Sequence, residues 1–247
     1  MTDMNEMQAR GDTRQAPVDS TLLPGHLVDG YEAFLDGHFH REHERYRRLA
    51  ERGQRPPTLL IGCSDSRVSP EIIFDAHPGE IFVVRNVANL VPPFDATHDS
   101  HGTLAALEFA VQRLGVEHIV IMGHSLCGGV RAFAEHHRDP SKRPLSSGDF
   151  IGRWMEIISP AAKALGGDDQ PIEIYADRLG KASVIETLAN LRSYAYVAEK
   201  ERSGALALHG AYFDTADGRL FGLDAASGQF IPMAQEAHAR SLAEPRF

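Results

Sequence analysis

The chain contains two cysteines, and each one follows a short apolar run. The first run, 58–62 (TLLIG), leads into Cys63, and the second, 118–122 (HIVIM), leads into His124 and Cys127. Short apolar runs bounded by turn residues are typical of buried strands. In open α/β sheets, the carboxyl ends of the strands form the edge where ligands bind. The sequence therefore predicts that a cysteine and a His-x-x-Cys motif meet at one edge of a sheet.

Alternation of strand-like and helix-like segments predicts the fold class. A third apolar run lies at 81–85, between the first two. Helical stretches are predicted at 101–114, 154–165 and 173–200. Strands that alternate with helices pair in parallel, whereas the runs 205–213 and 218–223 predict a terminal hairpin around an Asp-Gly turn. We therefore predict an α/β fold with a central, mostly parallel β-sheet, an added antiparallel edge strand and flanking helices.

The N-terminal region differs from the remainder of the chain. Residues 1–25 lack the apolar segment of a signal peptide, so we expect a flexible polar tail. Residues 28–52 place apolar side chains among many charges, which predicts an N-terminal helical arm with one apolar face. Because no clear linker follows, we expect residues 26–247 to form a single domain that includes this arm.

Composition excludes several classes of partner. The chain has 34 acidic and 25 basic residues, for a net charge of −9, which argues against binding to nucleic acid or to anionic membranes. No apolar run approaches the roughly 18 residues of a membrane-spanning helix. Without an export signal, two cysteines favour a metal or redox pair over a disulfide, and the cytoplasm is the expected location.

The residues of the two motifs are metal ligands by type. Catalytic zinc sites commonly use three protein ligands from Cys and His and keep one position open, and Cys63, His124 and Cys127 form such a set. Asp65 lies two residues after a ligand, so its carboxylate could orient a zinc-bound hydroxide or occupy the fourth position itself. Arg67 could fork onto that carboxylate and keep it ionised. The simpler alternative for Asp65 and Arg67 is a surface ion pair.

Together the motifs resemble a known family. CSDSR at 63–67 and GHSLCGG at 123–129, with VVRNVANLVPP at 83–93 between them, are similar to the β-class carbonic anhydrases, over about residues 53–130. The resemblance implies one Zn²⁺ per subunit on Cys63, His124 and Cys127. It also implies a catalytic dyad of Asp65 and Arg67, with Asp65 as a fourth zinc ligand only in a closed state.

The resemblance also implies a substrate site of the plant-like subgroup. Its members would be Gln54, the apolar walls Phe82 and Val87, and the backbone N–H of Gly128. Two positions carry other residues than related proteins have. Leu60 stands where the subgroup with an inhibitory bicarbonate pocket has a tryptophan, and Phe109 stands where the plant-like pocket has a tyrosine.

The implied reaction is the reversible hydration of CO₂ to bicarbonate and a proton, by attack of zinc-bound hydroxide. The implied assembly is a homodimer or a dimer-based higher oligomer, with the arm wrapping a neighbour. In such an assembly Gln54, Phe82 or Val87 would line the site of another subunit. A proton-exit residue is not evident, because His77, His98 and His101 near the loops are three of thirteen histidines.

Three other functions stay open at this point. Residues 123–127 (GHSLC) on a strand–turn–helix resemble the nucleophile elbow of an α/β-hydrolase, with Ser125 as nucleophile, although that motif needs glycine where Cys127 stands. A family member could also act as a non-catalytic scaffold. A third possibility is hydrolysis of a CO₂ analogue such as carbonyl sulfide or carbon disulfide at the same site.

Overall fold

The computed structural model describes residues 22–95, 102–139, 147–148, 150–166 and 169–243. These residues fall into two compact units, one ending at Gly53 and one beginning at Gln54. Most of the predicted tail, residues 1–21, lies outside the described residues. The extent of the single domain predicted over 26–247 stays a prediction. Of the described helices, none is long and apolar enough to cross a membrane.

One mixed sheet is the centre of the larger unit. In the described part of the chain it has six strands, which are β1 (Thr58–Cys63), β2 (Ile81–Asn86), β3 (His118–His124), β4 (Ala207–Phe213), β5 (Leu220–Asp224) and β6 (Gln229–Pro232). Their order is β2-β1-β3-β4-β5-β6. The first four strands in this order pair in parallel, and β5 and β6 add an antiparallel edge. The predicted fold class is confirmed, and β6 extends the edge beyond the predicted hairpin.

The strand register brings the two cysteine motifs to the same edge. In the β1–β3 ladder Gly62 pairs with Met122, so Cys63 and His124 both lie at the carboxyl ends of neighbouring strands. Alternate residues face opposite sides of the sheet. Leu59 and Ile61 face the larger core cluster on one side, whereas Leu60 joins a smaller cluster on the other side.

Helices cover the sheet and connect its strands. In the larger unit they are α3 (Pro70–Ile73), α4 (Gly102–Glu108), α5 (Gly128–Arg138), α6 (Phe150–Met155), α7 (Ser159–Leu165), α8 (Ile172–Leu191), α9 (Ala195–Arg202) and α10 (Gln235–Ala243). The stretch predicted at 101–114 is α4 followed by a π-helical segment, Phe109–Leu114. The stretch predicted at 154–165 is two helices joined by a 3₁₀ turn, Glu156–Ile158.

The helix predicted over 173–200 is interrupted between α8 and α9. Tyr194 is extended, and its hydroxyl donates to the Pro92 carbonyl at 2.9 Å. The Ser193 hydroxyl oxygen accepts the N–H of Phe94 at 2.7 Å. The helix breaks here because these side chains bind the loop that follows β2, and local propensity contains no signal for such a contact.

The smaller unit is helical, as predicted. It consists of α1 (Gly25–Phe34), a π-helical turn (Leu35–Phe39) and α2 (His40–Arg52), and none of its helical residues is buried. Phe34, Phe39 and Tyr46 form an aromatic cluster with ring centroids 5.3 to 6.1 Å apart. Leu27 and Tyr31 expose more than half of their surface, so the arm presents an apolar face to solvent.

Candidate metal centre

Three metal-ligating side chains converge at the carboxyl edge of the sheet. Cys63 ends β1, His124 ends β3, and Cys127 is the N-cap residue of α5. The two Sγ atoms lie 4.0 Å apart, and one ligand atom from each of the three residues lies within 4.8 Å of the others. All three side chains are buried. Among the described residues, this is the one group of three or more Cys, His, Asp or Glu side chains close enough to share an ion.

The imidazole of His124 is oriented for metal binding. Its Nδ1 is 2.8 Å from the Ser125 carbonyl oxygen, so Nδ1 carries the proton and donates it. Its Nε2 is buried and, in the described structure, has no hydrogen-bond partner. A buried polar atom without a partner is costly. A ligating histidine that donates its other ring nitrogen to a carbonyl is the usual arrangement in metal sites, so the residues fit a metal ion.

The sulfur atoms of Cys63 and Cys127 contact each other as hydrogen-bond partners, 4.0 Å apart. The hydrogen bond from Cys127 is the largest influence that lowers the pKa of Cys63, to about 4, against the opposing effect of burial. The same hydrogen bond, together with burial, raises the pKa of Cys127. Two buried sulfurs that readily lose a proton between them are suited to a divalent cation, which binds thiolates and not thiols.

Beside the three ligands, Asp65 and Arg67 form a bidentate ion pair. The Arg67 Nε donates to Asp65 Oδ1 at 2.9 Å, and Nη2 donates to Oδ2 at 2.7 Å. The backbone N–H of Arg67 also donates to Oδ1 at 3.0 Å. These hydrogen bonds hold the pKa of the Asp65 carboxyl well below its usual range. Arg67 Nη2 further donates to the Leu126 carbonyl at 3.2 Å, which ties the pair to the turn between His124 and Cys127. Asp65 as a fourth ligand in a closed state stays a prediction.

Arg85 supports this strand end, and its role is not among those predicted from the sequence. Its Nε donates to the Cys63 carbonyl at 2.8 Å and its Nη2 to the Asp65 carbonyl at 2.6 Å. Arg85 pairs with Gly62 in the β1–β2 ladder. A charged residue at the end of an apolar strand was the available signal, because the parallel pairing of 58–62 with 81–85 would have placed it beside Cys63.

A turn from the other side of the sheet fixes the Ser125 peptide. The Ser125 hydroxyl accepts the N–H of Thr215 at 2.9 Å and lies 3.3 Å from Asp214 Oδ1. The Thr215 hydroxyl donates to the Ser125 carbonyl at 3.4 Å. The Ser125 carbonyl is also the acceptor that orients the His124 ring. Residues 214 and 215 in the β4–β5 turn therefore hold His124 in position, although Thr215 is 90 positions away from Ser125 in the sequence. No local pattern connects these segments.

Of the substrate residues implied by the resemblance, Val87 and Gly128 lie at this edge. Gly128 begins α5 directly after Cys127, and a Cβ placed on it would have no heavy atom within 4 Å. The next residue, Gly129, allows α5 to approach Val87, because a Cβ there would lie 2.8 Å from Val87 Cγ1. The Val87 carbonyl accepts the Trp154 indole N–H at 2.7 Å, so α6 holds this loop as well.

Gln54 and Phe82 lie at the opposite edge of the same strands. Phe82 pairs with Leu59 near the start of β1, and its ring packs 6.1 Å from that of Phe109. Gln54 is exposed and precedes β1. Because a strand rises about 3.3 Å per residue, the start of β1 lies about 17 Å from Cys63. Within one chain, the structure does not bring these two residues to the metal ligands.

The remaining sequence-based candidates lie away from the ligands or outside the described residues. His77 is exposed on the connection before β2, and His98 and His101 lie outside the described residues.

Fold and site together define an α/β protein with a buried Cys₂His metal group. A protein-family model described as "Carbonic anhydrase" matches residues 58–220. The chain is 37% identical over 208 residues to beta carbonic anhydrase 3 of Arabidopsis thaliana, covering 81% of this chain and 78% of the relative. It is 36% identical over 218 residues to a carbonic anhydrase of Pseudomonas aeruginosa, covering 87% and 94%.

Solved structures agree with the sequence relatives. The β-carbonic anhydrase CcaA superposes with a TM-score of 0.76 at 27% identity, covering 84% of this chain and 98% of that one. One of two tetrameric β-carbonic anhydrases from Sordaria macrospora superposes with a TM-score of 0.67 at 31% identity, covering 80% and 95%. This chain belongs to the β-class carbonic anhydrase family, and the Arabidopsis relative is consistent with the plant-like subgroup.

Proposed function

We propose that the protein catalyses the zinc-dependent, reversible hydration of CO₂ to bicarbonate and a proton. The observation that supports this most is the buried Cys63–His124–Cys127 group, whose unpartnered Nε2 lies in the same site as the forked Asp65–Arg67 pair. Thiolate and imidazole donors in a set of three suit Zn²⁺ with one open position. When bound, zinc supplies a Lewis acid that makes water a nucleophile near neutral pH.

Asp65 is proposed to orient the attacking water. A carboxylate offers about four acceptor positions, and Arg67 occupies two on Oδ1 and one on Oδ2. One position on Oδ2 therefore remains for a water proton. Because Asp65 stays ionised, it accepts a hydrogen bond and does not donate one. This direction leaves a lone pair of the water oxygen free for attack on carbon.

Substrate would be positioned by the loop and helix end that adjoin the ligands. Val87 supplies an apolar wall of the kind that a linear, uncharged molecule requires. The first N–H groups of an α-helix have no partner within the helix, and the Gly128 N–H is the first of α5. It is proposed to donate to a substrate oxygen as negative charge develops there.

A second subunit is proposed to complete the site. Gln54 and Phe82 lie too far from the ligands of their own chain to contact the same substrate. The sheet edge at β2 contains no fully buried residue, and the arm exposes Leu27 and Tyr31. An unpaired strand edge can pair with another chain, and an exposed apolar face can mark a site of protein–protein contact. These observations support a homodimer or a dimer-based higher oligomer, and the Sordaria macrospora relative is tetrameric.

Stopped-flow measurement of CO₂ hydration tests the proposal on protein of known zinc content. We expect activity that rises from mildly acidic to alkaline pH. Full zinc occupancy without CO₂ hydration at any pH would refute it. In that event, turnover of carbonyl sulfide or carbon disulfide would identify an analogue hydrolase, and the absence of turnover would identify a scaffold protein.

A further inference from the structure

Two histidines meet on the sheet at the edge opposite the metal centre. His118 begins β3, and His209 lies on the neighbouring strand β4, where it pairs with Val120. Since alternate residues share a face, His118, Val120 and His209 lie on the same face of the sheet. His118 Nδ1 and His209 Nε2 are 3.2 Å apart, and both side chains are exposed.

This separation matches that of two nitrogens bound to one ion. Two imidazole nitrogens about 2.1 Å from a metal, at an angle of about 90–110°, lie roughly 3.0–3.4 Å from each other. At present the rings share a hydrogen bond, with centroids 5.2 Å apart. Metal binding requires the proton of this hydrogen bond to move to the other nitrogen of its ring or to solvent. Because both side chains are exposed, the rings have room to rotate so that both lone pairs point to a common position beside the face.

We propose that His118 and His209 form a second, weaker binding site for a borderline divalent cation such as Zn²⁺, Ni²⁺ or Cu²⁺. Imidazole suits these ions, whereas Mg²⁺ and Ca²⁺ prefer oxygen. Among the described residues, no third Cys, His, Asp or Glu side chain lies close enough to His118 and His209 to share an ion with them. Water molecules would therefore fill the other coordination positions.

The backbone that carries the two histidines is fixed, and the pair is separate from the proposed catalytic centre. Hydrogen bonds from the His118 N–H to the Pro57 carbonyl and from the Ala207 N–H to the Glu117 carbonyl fix both strand starts. His124 lies six residues further along β3, or about 20 Å away. Although His209 is exposed as a residue, partial burial of its ring and the neighbouring His118 lower its pKa below the usual value, which favours the neutral, metal-binding form.

Isothermal titration of Ni²⁺ into the zinc-loaded full-length chain tests the proposal. We expect one added ion to bind more tightly than any other, and at least tenfold more weakly in His118→Gln and in His209→Gln. The double variant should lose no more than either single variant, because removal of one ligand already abolishes chelation. Retained zinc and unchanged CO₂ hydration would show that the catalytic centre is not the site titrated.

A matched control addresses the other histidines. His43, on the exposed arm helix α2, lies one turn from His40, and such a spacing can also bind Ni²⁺. His43→Gln should leave the tightest added-ion step unchanged. The proposal is overturned if that step is lost in His43→Gln instead, or if the titrations of His118→Gln, His209→Gln and the unmodified chain superpose.

Discussion

The two ends of strands β1 and β3 differ in chemistry although they belong to the same ladder. At the carboxyl end, Cys63 and His124 are buried and approached by α5 and two loops. At the amino end, Thr58 is half-buried and His118 is exposed. Parallel strands connected by helices bring loops and helix N-termini to the carboxyl edge. The carboxyl edge is therefore the place where loops and a helix N-terminus can surround metal-ligating side chains and form a site.

Both ends contain side chains that can bind a metal, so the main difference between them is the set of residues that hold those side chains in place. Arg85 holds the backbone at Cys63, and the β4–β5 turn holds the carbonyl that orients His124. Trp154 holds the loop at Val87. Within the part of the chain that the structure describes, no comparable side-chain hydrogen bonds support the His118–His209 pair at the other end.

The largest effect is expected from removal of a ligand at the carboxyl end. Cys127→Ser replaces a thiolate by a hydroxyl, which binds zinc poorly. The variant should therefore lose stoichiometric zinc, and its rate of CO₂ hydration should fall by more than about 100-fold. This loss exceeds the one usual for residues that only support a metal ligand. Metal analysis and stopped-flow kinetics measure both. His209→Gln is the matched control at the amino end, and equal losses in the two variants would remove the contrast.

Arg67→Lys should reduce activity without removing zinc. Lysine keeps the positive charge but cannot fork onto both oxygens of Asp65, so the carboxylate loses its fixed direction. We expect kcat/KM to fall by about 10- to 100-fold, as for other residues that support a metal ligand shell, with zinc content unchanged. Full activity in Arg67→Lys would show that charge alone is sufficient.

Thr215→Val should weaken zinc binding by a smaller factor. The substitution keeps the shape of the side chain but removes the hydroxyl that donates to the Ser125 carbonyl, a loss of about 1 kcal/mol or about fivefold in affinity. Competition with a chelator measures this change. Thr215→Ser retains the hydroxyl and should bind zinc as the unmodified chain does. Identical zinc affinity in Thr215→Val and Thr215→Ser would show that the turn has no influence on His124.

Gln54→Ala should leave zinc unchanged and affect substrate only in the assembled protein. If another subunit brings Gln54 to the site, KM should rise by about two- to fivefold through loss of one hydrogen bond. The neighbouring exposed residue provides the control Arg55→Ala. Unchanged KM in Gln54→Ala, measured on protein shown to be oligomeric by light scattering, would contradict a role for Gln54 in the site.

The sequence predicted the fold class and the meeting of Cys63, His124 and Cys127 at one sheet edge, because both depend on local patterns. Apolar runs fixed the strands, and the ligand types follow each run directly. The roles of Thr215 and Trp154 could not be found in this way, because each acts on a segment distant in sequence. The break at Ser193 has the same origin, since its partner, Phe94, lies 99 positions away. Arg85 did leave a signal, because it is a charged residue at the end of the strand that pairs with β1.

We propose that catalysis depends on a metal held by the Cys63–His124–Cys127 group. We would strip the metal with a chelator, return Zn²⁺ in measured fractions of one equivalent, and follow CO₂ hydration at each step. We expect no activity in the stripped protein and a linear rise that ends at one zinc per chain, with no rise in Cys127→Ser. Activity that persists without metal, or that returns equally in Cys127→Ser, would contradict it.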